Sequence, residues 1–213
     1  MSYPGIYDAE AHSSTTFDMQ YRSRSVQPPA KRVVKKSIPY HNGTIDFSNL
    51  YGEPYYEERS VEYVFEAVDE SAEAVQASVD AFSNWLISLT DTDIYDDEMS
   101  FWHWHGGCDS VSVEYEDDGL KAIVTAAFSV YPFRIANSQT CRRLVVGSNK
   151  VINDSRPARL YVIPDGSQCT ITINAVRQTF IGETLSDLTI PHGTSTITVS
   201  SGSCTIKWRE ERI

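Results

Sequence analysis

The densest metal-ligand chemistry in the chain is His103-Trp104-His105, followed by Cys108. On an extended strand, residues two apart point to the same face. Both imidazoles can therefore converge on one ion, and a thiolate three residues on can join them. A fourth ligand would have to come from a distance, from His41 or His192. Aromatic strand residues beside the Gly106-Gly107 turn explain the segment equally well. Asp91, Asp93, Asp96, Asp97 and Glu98 are rich in carboxylates but lack the DxDxDG order and terminal Glu of a calcium loop. At this density chance carboxylate pairs are unavoidable, and a glycosidase pair needs a cleft that no sequence displays. GxSxG, Walker A, HExxH and Rossmann fingerprints are all absent. His103, His105 and Cys108 thus stand only as weak zinc candidates, and neither an enzyme nor a cofactor is expected.

The elements that would position these residues are mostly strands. Residues 60–68 alternate, with Val61, Tyr63, Phe65 and Ala67 on one face and Glu62, Val64, Glu66 and Val68 on the other. That period of two marks a half-buried antiparallel strand. Asp69-Glu70-Ser71 then supplies a cap and N-terminal acids for a helix over residues 71–89. Ala72, Val75, Val79, Phe82, Leu86 and Leu89 form its apolar stripe, flanked by Trp85. At ~1.5 Å rise per residue the helix spans roughly 28 Å, enough to cross a small sheet. Residues 91–98 read as a solvated acidic loop. Residues 99–105, 110–115 and 120–131 read as three strands, the last two joined by a hairpin turn at Glu116-Asp117-Asp118-Gly119.

An N-terminal arm and two domains are expected. Residues 1–14 are polar and read as a flexible N-terminal arm. Residues 15–138 form the main domain, opening with a strand over 15–22. Residues 139–213 hold short β-branched strands separated by turns such as Pro164-Asp165-Gly166-Ser167, which indicates a small antiparallel sandwich. The fold class is mainly β, with one long α-helix. No run of about 18 apolar residues suggests a membrane span, and no secretory signal is seen. Four cysteines without a CxxC pair point to reduced thiols in a protein made in a cytosol.

Between these elements lie two surface segments. Residues 31–38 carry Lys31, Arg32, Lys35 and Lys36 around Val33 and Val34, in the pattern of an edge strand or hairpin arm. Asn42-Gly43 supplies its tight turn. Tyr51, Tyr55 and Tyr56 follow, with Glu57, Glu58 and Arg59. Tyrosines that are apolar at one end and wet at the other suit an interface as well as they suit their own core. The formal charge of −11 divides unevenly: net +3 over residues 1–37, −7 over 38–70, −10 over 71–138 and +3 over 139–213. Such a profile argues against tight nucleic-acid binding and suits a surface that repels DNA or meets a basic partner.

In order, Ile38-Pro39, Asn42-Gly43, Ile45-Asp46-Phe47, Gly52-Glu53, Tyr55-Tyr56 and Arg59 lead into the alternating strand. The helix, the hairpin at residues 116–119 and Pro132-Phe133-Arg134 follow. The C-terminal part adds Pro157, Ile171-Thr172-Ile173-Asn174, Gly193 and Ile206-Lys207-Trp208-Arg209-Glu210. From about Phe17 onward this succession resembles the distal tail proteins (Dit-like) of siphovirus-type bacteriophages. The resemblance implies a tail-tube-like β-sandwich with an arm that reaches a neighbouring subunit. It implies a homohexameric ring at the distal end of the virion tail. The ring would join the tail tube protein to tail-tip or baseplate hub and receptor-binding proteins, with DNA only in transit through the lumen and no membrane partner.

On that reading the arm is residues 31–47. Lys31, Arg32, Lys35 and Lys36 meet acids of the next subunit among Glu57, Glu58, Glu62 and Glu66, and Tyr55, Tyr56 and Arg59 share the interface. The competing expectation is a receptor- or carbohydrate-binding tail-tip module acting through the C-terminal sandwich. There the aromatics are Tyr161, Phe180 and Trp208, with Trp208 expected in the core.

Overall fold

The structure, a computed structural model, describes residues 4–37, 39–40, 42–48 and 54–213. It divides into two units, residues 1–134 with Ile213, and residues 135–212. The first carries β1 (Ile6–Tyr7), α1 (Ser13–Phe17), β2 (Gln20–Val26), β3 (Lys35–Ser37), β4 (Thr44–Asp46), β5 (Arg59–Val68), α2 (Ala72–Ser88), β6 (Thr92–Asp96), β7 (Trp102–Glu116) and β8 (Lys121–Val130). Six of these strands form one antiparallel sheet in the order β1-β6-β7-β8-β5-β2, and β3 and β4 pair separately as a hairpin.

The alternation of β5 decides which face is covered. Val61, Tyr63, Phe65 and Ala67 are buried, and Ala122, Val124, Ala126, Phe128 and Val130 of β8 join them in one core. α2 lies over this face, with Val75, Val79, Phe82 and Leu86 buried. Ser71 caps it, its hydroxyl accepting from the Ala74 N–H at 3.4 Å. Each fully buried side chain of that stripe is worth about 2 kcal/mol of apolar transfer, more than capping supplies. The opposite sheet face carries Glu62, Val64, Ser112, Glu114, Ile123, Thr125 and Ala127, all half-exposed or exposed.

Four expectations change. Residues 1–14 do not form a flexible arm over their described part. β1 pairs with β6, Ile6 and Ser13 are fully buried, and Asp97 accepts from the Gly5 N–H at 3.0 Å. The polar composition misleads because Ser13 turns inward to bond the Ile6 N–H. Residues 13–17 are helical rather than extended, capped by His12 and closed by Asp18 at φ 55°, which packs Phe17 on Phe82 and Trp85. The acidic stretch from residue 92 to 96 is a strand, with Ile94 and Asp96 buried.

Residues 102–116 are one strand, not two. Gly106 and Gly107 give close approach rather than a turn. A Cβ at Gly106 would stand 2.2 Å from the Ser129 carbonyl oxygen, and one at Gly107 would stand 2.9 Å from that of Thr90. A bulge between Cys108 and Ser110 then restores the register with β8.

β9 (Arg134–Ala136) starts at the boundary, and the second unit continues with β10 (Thr140–Leu144), β11 (Gly147–Asn153), β12 (Ala158–Pro164), β13 (Cys169–Ile173), β14 (Val176–Phe180), β15 (Thr184–Ile190), β16 (Gly193–Ser201), β17 (Cys204–Trp208) and β18 (Glu211–Arg212). Two four-stranded sheets, β10-β17-β12-β15 and β11-β16-β13-β14, enclose a core that includes Leu144, Leu160, Ile171, Ile197, Ile206 and Trp208. Their inward alternation is that of a sandwich. Asn153 is fully buried and ties the loops at one end. Its side-chain amide donates to the Arg156 and Ile190 carbonyls, and its oxygen accepts from the Ser155 N–H and hydroxyl.

Candidate interaction surface

The basic arm is a hairpin whose outgoing strand keeps its side chains exposed. Residues 31–37 are exposed on both faces. β3 pairs with β4 through Lys35↔Asp46 and Ser37↔Thr44, with Gly43 at φ 85° in the turn that Asn42-Gly43 predicts. The Phe47 N–H donates to the Val34 carbonyl at 2.8 Å, and the buried Ser48 hydroxyl accepts from the Val34 N–H at 2.9 Å. Ser48 also holds the Asp46 carboxyl below its ordinary range, by its hydroxyl and its N–H. Ile38, His41 and residues 49–53, with Tyr51, Gly52 and Glu53, lie outside the described residues.

The base of the arm is fastened by the Tyr-Glu segment of the same chain. Lys31 bridges Tyr56, the Arg32 N–H donates to the Tyr55 carbonyl, and the Glu57 N–H donates to the Ala30 carbonyl, the last two at 2.8 Å. Arg32 pairs with Glu57 at 3.5 Å, both exposed. Tyr55 is half-exposed, while Tyr56 meets Phe133 edge-on at 5.4 Å. Lys31, Lys35, Lys36 and Glu58 are exposed. Among the described residues, no carboxylate lies within ion-pair distance of those three lysines.

Two of the residues expected at the interface are used up inside the fold. Arg59 is buried, its Nε donating to the Gln27 carbonyl at 2.9 Å and its Nη1 to that of Pro132 at 3.1 Å, with the guanidinium over Trp104. Burial, and then the Arg134 charge, lower its pKa. Glu66 is also buried, between Arg22 and Lys121. Period-two alternation places Glu66 on the outer face correctly, but long basic side chains from β2 and β8 close over it.

His103 and His105 do share a face, as their spacing predicts, but they meet carboxylates. His105 Nδ1 lies 2.8 Å from Asp93 and its Nε2 3.0 Å from Asp91. The buried His103 meets Tyr95 at a tilt, ring centroids 5.0 Å apart, with its Nε2 3.6 Å from Asp93. Cys108 packs toward the core, and burial pushes its thiol up to about 11. His192 belongs to the second unit, its Nδ1 3.1 Å from the Ser155 carbonyl. Among the described residues, no group of three or more His, Cys, Asp or Glu is arranged to hold a metal ion. All four cysteines are free.

No protein-family model and no curated protein matches the chain. A solved structure does. The Dit protein (gp 19.1) of SPP1, a paradigm of the hub adsorption apparatus in phages that infect Gram-positive bacteria, superposes with a TM-score of 0.75. The match covers 99% of both chains. The fold is shared with a siphophage distal tail protein. At 9% identity the likeness lies in the fold, from the helix-covered sheet to the terminal sandwich. It answers the resemblance read from the order of motifs, and the mainly β class with one long helix stands.

Proposed function

We propose that this chain is a structural subunit of a virion tail, closing into a hexameric ring at the distal end of the tail tube. The ring joins the tube to tail-tip or baseplate hub and receptor-binding proteins and lets DNA pass during ejection. The observation that carries this reading is the fold shared with SPP1 Dit along 99% of both chains. Two features of the surface support it. The hairpin of β3 and β4, exposed over residues 31–37, has the form of an arm that grips a neighbour, and a contact between different patches closes rings. The uncovered face of the main sheet bears Glu62 and Glu114, and such a face turned inward would let DNA slide without holding it.

Sugar binding through the second unit ranks behind. Phe180 and Trp208 are buried in its core, leaving only the half-buried Tyr161 among its expected aromatics for stacking. Among the described residues no helix is long and apolar enough to cross a membrane. Negative-stain microscopy with mass measurement of the purified full chain tests the reading. Six-fold rings of six times 23.9 kDa are expected. A monomer at all concentrations would overturn it.

A further inference from the structure

If the arm grips a neighbour, the seat that receives it can be sought in the same chain. Glu57 is engaged with Arg32 of its own arm, and Glu66 is buried with Arg22 and Lys121. Glu58 and Glu62 remain exposed, and most of the further acids of this unit lie in one distinctive stretch. Between Arg59 and Lys121 the chain holds sixteen Asp and Glu and no Lys or Arg.

Within that stretch the outer face of α2 has the right relief. Ala72, Glu73, Gln76, Ala77 and Asp80 line a shallow open depression along the helix. The Asp117-Asp118-Gly119 turn abuts one end, since a Cβ at Gly119 would stand 3.2 Å from that of Ala72. Leu120, 40% exposed, adds apolar surface beside the turn. Glu73 is held ionised by the Ser71 hydroxyl at 2.8 Å, and Asp80 accepts from Gln76 at 2.8 Å. Lys121, which follows the turn and Leu120 in sequence, is taken by Glu66 and Glu116. The depression therefore presents an alanine floor with acids along its rim.

The arm presents the complement. Val33 and Val34, 59% and 38% exposed, sit among Lys31, Arg32, Lys35 and Lys36. In one chain the arm and this face of α2 are both exposed, so they do not cover each other. We propose that the outer face of α2, with Glu73, Asp80, Asp117 and Asp118 around Ala72 and Ala77, seats the residue 31–36 arm of a second copy. The contact joins two different patches and is therefore heterologous, which propagates into a ring. Its charge pairs are exposed, so assembly weakens as salt rises. This inference rests on the ring reading above and adds the receiving surface.

Three full-length variants test it by sedimentation velocity: E73K/D80K, K31E/K35E/K36E, and the two sets combined. Each set alone is expected to raise the concentration for half-assembly at least ten-fold, and the combination to recover most of that loss. Thermal melts of the dilute proteins check that each variant is folded. A second measurement is independent of charge. Val33→Cys with Ala77→Cys, in a Cys141→Ser background, should give an oxidised ladder up to six chains on a non-reducing gel, with neither cysteine alone doing so. Wild-type rings that persist in the helix variant, or a combination no better than the arm variant alone, would overturn the seat while leaving the ring reading intact. A wild-type chain that never assembles removes both.

Discussion

Asp93 stands directly opposite His105 in the β6–β7 ladder, with 2.8 Å between its carboxylate and the imidazole Nδ1. Side-chain pairs bonded across a ladder support a sheet by a few tenths to 1 kcal/mol. The pair is 41% exposed on each side, so it sits at the modest end. Asp93→Asn is expected to lower stability by about 0.5 kcal/mol in urea denaturation at pH 6. Zinc or a chelator should leave the melting temperature of the wild type unmoved. A zinc-dependent rise of several degrees would restore the metal reading of His103 and His105.

Arg59 gives a sharper outcome. Its charge is buried and satisfied by two backbone carbonyls and the face of Trp104. Removing it leaves the Gln27 and Pro132 carbonyls without that donor and a void beside Trp104. Arg59→Ala should cost about 3 kcal/mol of unfolding free energy. Lysine should recover little, because one ammonium does not reproduce a planar fork. The measurement is chemical denaturation at a concentration too low for assembly. A loss seen only in assembly, with intrinsic stability intact, would return Arg59 to the subunit interface.

These two sites show what was readable. β5 and α2 announce themselves because each has one wet and one dry face, and periodicity records that directly. The basic hairpin is readable for the opposite reason, since the side chains of residues 31–37 all stay exposed. What escapes is anything whose partner is distant in sequence. β6 looks like a solvated loop until Arg24 and Tyr63 are seen on Asp96 and His105 on Asp93. Residues 4–14 look unstructured until β6 is there to pair with β1. The burial of Arg59 has no local signal, because its acceptors come from residues 27 and 132. β14 hides as well: it is an edge strand with only Phe180 buried, entered through Asn174 and Ala175 at positive φ without a glycine.

The glycine pair in β7 can be tested without touching chemistry. At Gly106 an added methyl meets backbone, the Ser129 oxygen at 2.2 Å and the Val130 Cα at 2.7 Å, and neither can move without parting β7 from β8. Gly106→Ala should destabilise by roughly 2–3 kcal/mol, in the range of overpacked interiors. Gly166, with nothing near its Cβ position, is the control, and Gly166→Ala should be close to neutral. Thermal melts of the two proteins decide the matter. Equal melting temperatures would mean that Gly106-Gly107 is a loose turn after all.

Alkaline lability of the second unit follows from its buried thiols. Cys204 is fully buried among apolar side chains, and burial pushes its thiol from 9.0 up to about 12. Burial also raises the thiol of Cys169. A thiol whose folded pKa exceeds its unfolded value binds its proton more tightly in the folded state. Its contribution is complete below about pH 9 and is lost as pH rises toward 12. The urea midpoint of that unit should therefore fall between pH 9 and pH 11. Cys204→Ala should begin from a lower midpoint, because it opens a small void, but fall less steeply over the same interval. Parallel slopes in the two proteins would show that the thiolate is tolerated in the core, and that the alkaline loss comes from elsewhere.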